Sequence, residues 1–338
     1  MTMKPETMTA WRVHQYGEFE KALCLDRCPP PSPTGSEAII RVAAIGLNFL
    51  DVLSIAGKYQ EKSPLPFIPG VEAAGRVIET APNSPFQVGD RVMTVGNGAC
   101  AEYMTVHPEK TFELPAEMPF DDAAAFQLIY QTAHVALVHR ARLASGEFLL
   151  VHAGAGGVGT AAIQIGRALG ARVIATAGSD EKLEVCLRCG AEAAINYRTE
   201  NFAQRTLEIT EGRGVDVIFD PVGGTVFEES TKCIAFEGRI VVIGFASGRI
   251  PSIAANRILL KNIDIIGLFW GNYRQFNPLI IEKTQKDLCH LYTSGKIKPV
   301  IYRIYPFAEL QKALSALSGR KSYGKVIIER PVTQDHLK

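Results

Sequence analysis

At 338 residues, 47% of them hydrophobic, the chain is longer than one ordinary core requires and predicts two domains. Its 36 Lys and Arg nearly balance 35 Asp and Glu, so no clustered field selects nucleic acid or an anionic membrane surface. The longest apolar stretch, 39–57, is broken by Arg41, Asn48 and Asp51, and the amino end MTMKPETMTA has no apolar segment of signal-peptide type, which predicts a cytoplasmic protein without membrane insertion.

Residues 10 to about 125 read as short β-like runs divided by PPPSPTG (29–35), PLPFIPG (64–70) and APNSPFQVGD (81–90), the pattern of a compact, mostly β module. Within it Asn48 and Asp51 head a helical run, 49–56, where both residue types are favoured simply as caps. From about 130 to 270, strand candidates at 148–153, 173–177, 193–197, 215–220, 238–244 and 263–268 alternate with helical or turn segments, as a doubly wound parallel sheet requires. Helix candidates at 277–294 and 307–318, a β-like stretch at 300–305 and a final strand Lys325–Glu329 follow. They have no sheet of their own to complete and predict a return to the first module. The expected divisions are 1–127, 128–272 and 273–338.

The most informative stretch is FLLVHAGAGGVGTAAIQIGRAL (148–169). Gly154, Gly156 and Gly159 fit the G-x-G-x-x-G pattern between a strand and a helix, which permits a tight turn and close approach to a pyrophosphate. The phosphates are expected on the helix start near Gly157 and Val158, where unpaired N–H groups favour negative charge. After the second strand, where NAD-selective folds carry a carboxylate, stand Ala177, Gly178 and Ser179, with Lys182 beyond. Small residues leave room for a 2′-phosphate, Ser179 can donate to it and Lys182 supplies charge, so NADPH is the expected cofactor. The other reading makes Asp180 or Glu181 the ribose anchor and Lys182 a solvated helix residue.

Seven scattered cysteines form no disulfide framework. Cys186 and Cys189 close a helix before Gly190, the wrong end for a reactive thiol pair. His134 and His139 stand five apart, off one helical face, and His152 abuts the glycine turn.

With these pieces in place the chain resembles the medium-chain dehydrogenase/reductase superfamily, in its zinc-free quinone oxidoreductase (zeta-crystallin) branch. The likeness spans nearly the whole chain through NFLD (48–51), PFIPGVEAAGRV (66–77), VGDRV (88–92), HAGAGGVG (152–159), NYR (196–198), DPVGG (220–224), GRIVVIGF (238–245) and YGKVII (323–328). ILLKNIDIIGLFWG (258–271) points to a quinone oxidoreductase-like subgroup. The resemblance implies an α/β fold, a GroES-like mostly-β catalytic domain plus a doubly wound Rossmann domain. It places Lys182 and Tyr197 about the 2′-phosphate, and Thr132, Gly244, Phe245, Leu268, Phe269 and Trp270 toward the nicotinamide. Metal-dependent relatives have zinc ligands where this chain has Asn48, Val71 and Ala124, none of which suits zinc. No metal is therefore expected.

The resemblance further implies that Asn48, Asp51 and Tyr59 line the acceptor pocket. Asn48 would donate its amide to a carbonyl oxygen, Asp51 would orient Asn48 or a ribose hydroxyl, and Tyr59 would donate a phenolic proton or pack on a ring. The leading expectation is hydride transfer from NADPH to a quinone, whose conjugated carbonyls need only hydrogen-bond donors. Reduction of an activated C=C bond, in a 2-alkenal or an enoyl thioester, is the alternative. A structural or RNA-binding crystallin-like protein is the reading from another class, and the balanced charge argues against RNA. The strand 263–270 reads as an apolar sheet edge, which family members pair across a two-fold axis into a homodimer.

Overall fold

The computed structural model describes residues 5–330. The chain forms two compact units, one comprising residues up to Leu128 and from Pro299 onward, the other Ile129–Lys298. The first contributes β1 (Met8–Val13), β2 (Leu23–Cys28), β3 (Ala38–Leu47), β4 (Glu72–Thr80), β5 (Arg91–Val95), β6 (Tyr103–Val106) and β7 (Thr111–Glu113). The second holds β8 (Phe148–Val151), β9 (Arg172–Ala177), β10 (Ala193–Asn196), β11 (Val215–Asp220), β12 (Ile234–Val242) and β13 (Asp264–Gly267), and the chain then returns to the first with β14 (Ile301–Pro306) and β15 (Lys325–Glu329).

In the first unit β1 and β2 pair antiparallel, while β14-β15-β3-β4-β5-β7 form one sheet with β6 also on β3. β3 is buried along almost its whole length, as its run AIIRVAAIGL demands for a central strand. β15 joins it antiparallel with Val326 opposite Leu47. That register sets Lys325 beside Asn48, the first residue after β3. Ile40, Ile45, Leu47, Ile55, Leu314 and Ile328 share the core that backs this junction.

The second unit is the expected doubly wound sheet, six strands in the order β10-β9-β8-β11-β12-β13, all pairs parallel. The chain builds outward from β8 to β10, then jumps back to β11 and builds the other way. The reversal falls between β8 and β11, where such sheets bind ligands at the carboxyl ends of their strands.

One expected division differs. Residues 273–298 were expected to travel with the tail, but they belong to the second unit. The helix Pro278–Thr293 buries Ile281, Thr284, Gln285 and Leu288. Gln285 accepts from the Gln131 amide at 2.7 Å, and Lys298 N–H donates to Gln164 at 2.7 Å. These contacts hold the helix in place, and only from Pro299 does the chain return. A second departure from regularity is the π-helical stretch Val135–Arg140 after the helix Gln127–His134. His134 turns to Thr284, while exposed His139 meets the Tyr273 ring edge-on, so the two share no metal. No helix among the described residues is long and apolar enough to cross a membrane.

His152 knits this unit together beneath the glycine turn. Ser230 Oγ donates to the Val226 carbonyl, so it accepts from His152 Nε2–H at 2.9 Å, and Nδ1 accepts from Thr176 at 3.0 Å. The ring is therefore neutral, and burial pulls its pKa down to about 4, with Asp220 opposing. The unfolded chain takes up a proton here near pH 6.5 and the folded chain does not, so stability falls as pH drops from 6.5 toward 4. This group alone should contribute a slope of at most about 1.4 kcal/mol per pH unit. Denaturation across that window should show the slope in the wild type and a shallower one in His152→Gln.

Candidate active site

The glycine turn after β8 is built by close approach rather than by unusual torsions. Its one left-handed residue is Ala153, at φ 49°, and none of its glycines has a positive φ. Gly154 donates to the Thr176 carbonyl at 2.9 Å, and a Cβ there would stand 2.9 Å from both Ala175 Cβ and Cys186 Sγ. A Cβ on Gly159 would run into the Ala153 carbonyl oxygen and the Gly154 backbone. Gly156 caps the helix Gly157–Ala168, whose first internal bond is Thr160 N–H to Gly156 O at 2.8 Å. The amides of Gly157, Val158 and Gly159 precede that bond and have no carbonyl within the helix, so the cradle fits a pyrophosphate.

At the end of β9, Gly178 has Tyr197 and Arg198 packed against it. A Cβ there would lie 2.5 Å from the Tyr197 hydroxyl and 3.2 Å from Arg198 Nε. Ser179 is the N-cap of the helix Asp180–Arg188, Asp180 and Glu181 are exposed in its first turn, and Lys182 is half-buried. Of the expected group, Gly178 and Tyr197 are brought together, Ser179 follows Gly178, and Lys182 lies in the first turn of the helix beyond. Arg198, which was not among the residues expected here, stands beside Gly178 as well.

Gly244 and Phe245 follow β12, where the Phe245 ring lies against Gly223 of the turn after β11. Leu268 is buried after β13 and donates to the Val242 carbonyl at 3.0 Å. Phe269 is half-exposed, while Trp270 is buried under the Arg274 guanidinium, 4.3 Å from its ring, with no hydrogen-bond partner for the indole N–H. Thr132 is half-buried on the helix Gln127–His134. Cys186 and Cys189 are buried, and burial raises both thiols, Cys186 to about 12, which denies them redox reactivity.

In the first unit Asn48 and Asp51 stand at the head of the helix Phe49–Ile55, and the Asn48 N–H donates to Asp51 Oδ2 at 2.7 Å. The capping reading therefore describes a real contact. The role expected of the Asn48 amide needs correction, because both its hydrogens are committed, to Gly46 O and to Glu72 Oε2, each at 3.0 Å. Its oxygen accepts from the Lys325 ammonium at 2.7 Å. Lys325 also contacts Glu72 at 2.8 Å, and both side chains are almost wholly buried. Tyr59, past the end of this helix, is half-buried, and burial raises its phenol. Neither Glu72 nor Lys325 was anticipated. The available signal was one lone charge of each sign in two otherwise apolar runs, VEAAG and KVII.

Residues 34–116 match the family described as Alcohol dehydrogenase GroES-like domain, and residues 157–285 the family described as Zinc-binding dehydrogenase. Quinone oxidoreductase-like protein 2 of Bos taurus is 37% identical over 331 residues, 95% of each chain. The structure of Escherichia coli quinone oxidoreductase complexed with NADPH is similar at TM-score 0.87 and 31% identity, covering 95% of this chain and 99% of that one. The enoyl reductase CurK is similar at TM-score 0.87 and 29% identity, covering 97% and 100%. The residues at the ligand positions do not fit the zinc that one family description implies. Val71 and Ala124 offer no donor atom, and the Asn48 oxygen already accepts from a cation. Among the described residues no group of three or more His, Cys, Asp or Glu is placed to hold a metal.

Proposed function

The chain belongs to the quinone oxidoreductase family of the medium-chain dehydrogenase/reductase superfamily, and on that premise we propose that it is an NADPH-dependent, zinc-independent reductase of quinones. The observation that supports this reading is the end of β9, where Gly178 lets Tyr197 and Arg198 pack close and no carboxylate occupies the place of an NAD-type ribose anchor. Lys182, Ser179, Tyr197 and Arg198 hold the 2′-phosphate, and the Gly157–Gly159 amides hold the pyrophosphate. When bound, NADPH supplies hydride. The protein's own part is to orient the acceptor and to provide a proton. With the Asn48 amide committed to Gly46 and Glu72, the donor to the acceptor oxygen is the Tyr59 phenol, and a conjugated acceptor needs no Lewis acid beyond it. Reduction of activated C=C bonds is the second reading, favoured by the likeness to an enoyl reductase.

We further propose a homodimer. β13 pairs only with β12 among the described strands, which leaves its outer edge open. Ile265 and Ile266 are half-buried there, and Leu259 and Leu260 on the preceding helix Ala255–Lys261 are more than 70% exposed. A second copy of the same edge would complete the sheet across a two-fold axis.

Three outcomes are expected. NADPH consumption measured with 1,4-benzoquinone, 9,10-phenanthrenequinone, a 2-alkenal and an enoyl-CoA should be fastest with the quinones and unchanged by exhaustive chelation. Turnover confined to the alkenes selects the second reading, and loss of activity with stoichiometric zinc removes zinc independence. Dissociation constants should favour NADPH over NADH, and Lys182→Ala should erode that preference by roughly 1.5–3 kcal/mol. Equal constants in the wild type count against the 2′-phosphate site. Sedimentation at micromolar concentration should give a dimer, and Ile265→Lys should weaken both association and NADPH affinity through the strand that leads into Leu268.

A further inference from the structure

Two carboxylates and one ammonium are buried together in the first unit. Glu72 accepts from Lys325 and from the Asn48 amide on Oε2, and from the Leu128 N–H at 2.8 Å on Oε1. Asp51, 2% exposed, accepts from the Asn48 N–H on Oδ2 at 2.7 Å, and the Val71 N–H also favours its charged form; both are neutral backbone donors. A buried site with one cation and two acids is neutral only if one acid keeps its proton. The donors distinguish them, since Glu72 takes the ammonium with two further donors and Asp51 takes only neutral backbone N–H groups.

The charges that act on Asp51 come from Lys325 on β15 and Glu72 on β4, and burial outweighs both, raising its pKa to about 7. The neutral Cys100 thiol and Tyr59 phenol lie close enough to feel an Asp51 charge. On the two helices packed against Phe49–Ile55, the charged groups Glu20, Lys21 and Lys312 are exposed.

On the reductase reading above, we propose that the Glu72–Lys325 pair keeps Asp51 as a neutral carboxylic acid, and that Asp51 acts as a positioning residue that resupplies through Tyr59 the proton taken up by the reduced acceptor. Hydride leaves the acceptor with an electron pair on an oxygen. The Tyr59 O–H bond breaks as the acceptor O–H bond forms, the phenolate takes the Asp51 proton, and the Asp51 carboxylate regains one from water. Each turnover thus consumes one hydride from NADPH and one proton from solvent.

Infrared difference spectra of the full chain, wild type minus Asp51→Asn, test the assignment without cofactor or acceptor. A carboxylic-acid carbonyl band should be present in the wild type at pH 6, absent from the variant, and lost as pH rises past about 7. Glu72→Gln should move that loss to lower pH, because Lys325 is then free to pair with an ionised Asp51. In turnover, Asp51→Asn should lower kcat about 100-fold, the low end for assisted proton transfer, leave the NADPH dissociation constant unchanged, and abolish the alkaline fall in kcat. Absence of the band, or a variant with wild-type kcat and an intact alkaline limb, overturns the proposal. A wild type that shows the band yet reduces no acceptor overturns the reductase reading and the relay with it, and leaves the proton on Asp51.

Discussion

The first unit closes on Lys325. Its ammonium, buried at the start of the last strand, is bound by Glu72 of β4 and by Asn48, which lies 277 positions earlier in the chain. One side chain thereby fixes the junction of β15 with β3 and the head of the helix that carries Asp51. Such a pair is weak evidence of net stability, because desolvating both charges cancels much of their attraction. Removing either partner is another matter: the charge left behind in a dry site costs about 3–5 kcal/mol. Gly46 belongs to the same constraint, since any Cβ there would drive into the Ala124 carbonyl oxygen.

The same arrangement does not fit a metal at the positions where the resemblance places the superfamily's zinc ligands. A fixed ammonium already sits against the one oxygen-bearing side chain among them, and Val71 and Ala124 have nothing to offer. The buried charge here is organised by hydrogen bonds among Asn48, Glu72 and Lys325, and on the proposed reading Tyr59 and Asp51 handle protons in place of a Lewis acid.

The nucleotide unit rests on backbone economy of a different kind. Its expected ligand-facing groups lie at or beyond the carboxyl ends of parallel strands on either side of the reversal point, after β8, β9 and β10 and after β12 and β13. The glycines of the turn serve contact distance. The left-handed torsion falls on Ala153, at a cost of roughly 1–2 kcal/mol for an L residue, and the rigid packing of Ala175, Cys186 and Ile163 around Gly154 leaves the turn little room to relax.

Periodicity and punctuation in the sequence determined the parallel sheet, its helices, the glycine turn and the gap where an NAD-type carboxylate would stand, because each depends on residues near one another in the chain. Strand periods also located Lys325–Glu329 correctly. They could not say that residues 273–298 stay with the second unit, since that depends on Gln131 meeting Gln285 and on Gln164 meeting Lys298. Nor could they show that Asn48 spends both amide hydrogens internally. Only the tertiary structure decided that, and for one physical reason: the register of β15 on β3 brings a cation from the end of the chain against a carboxylate on β4 and the cap of a helix, and a buried charge dictates the hydrogen bonds of every group around it.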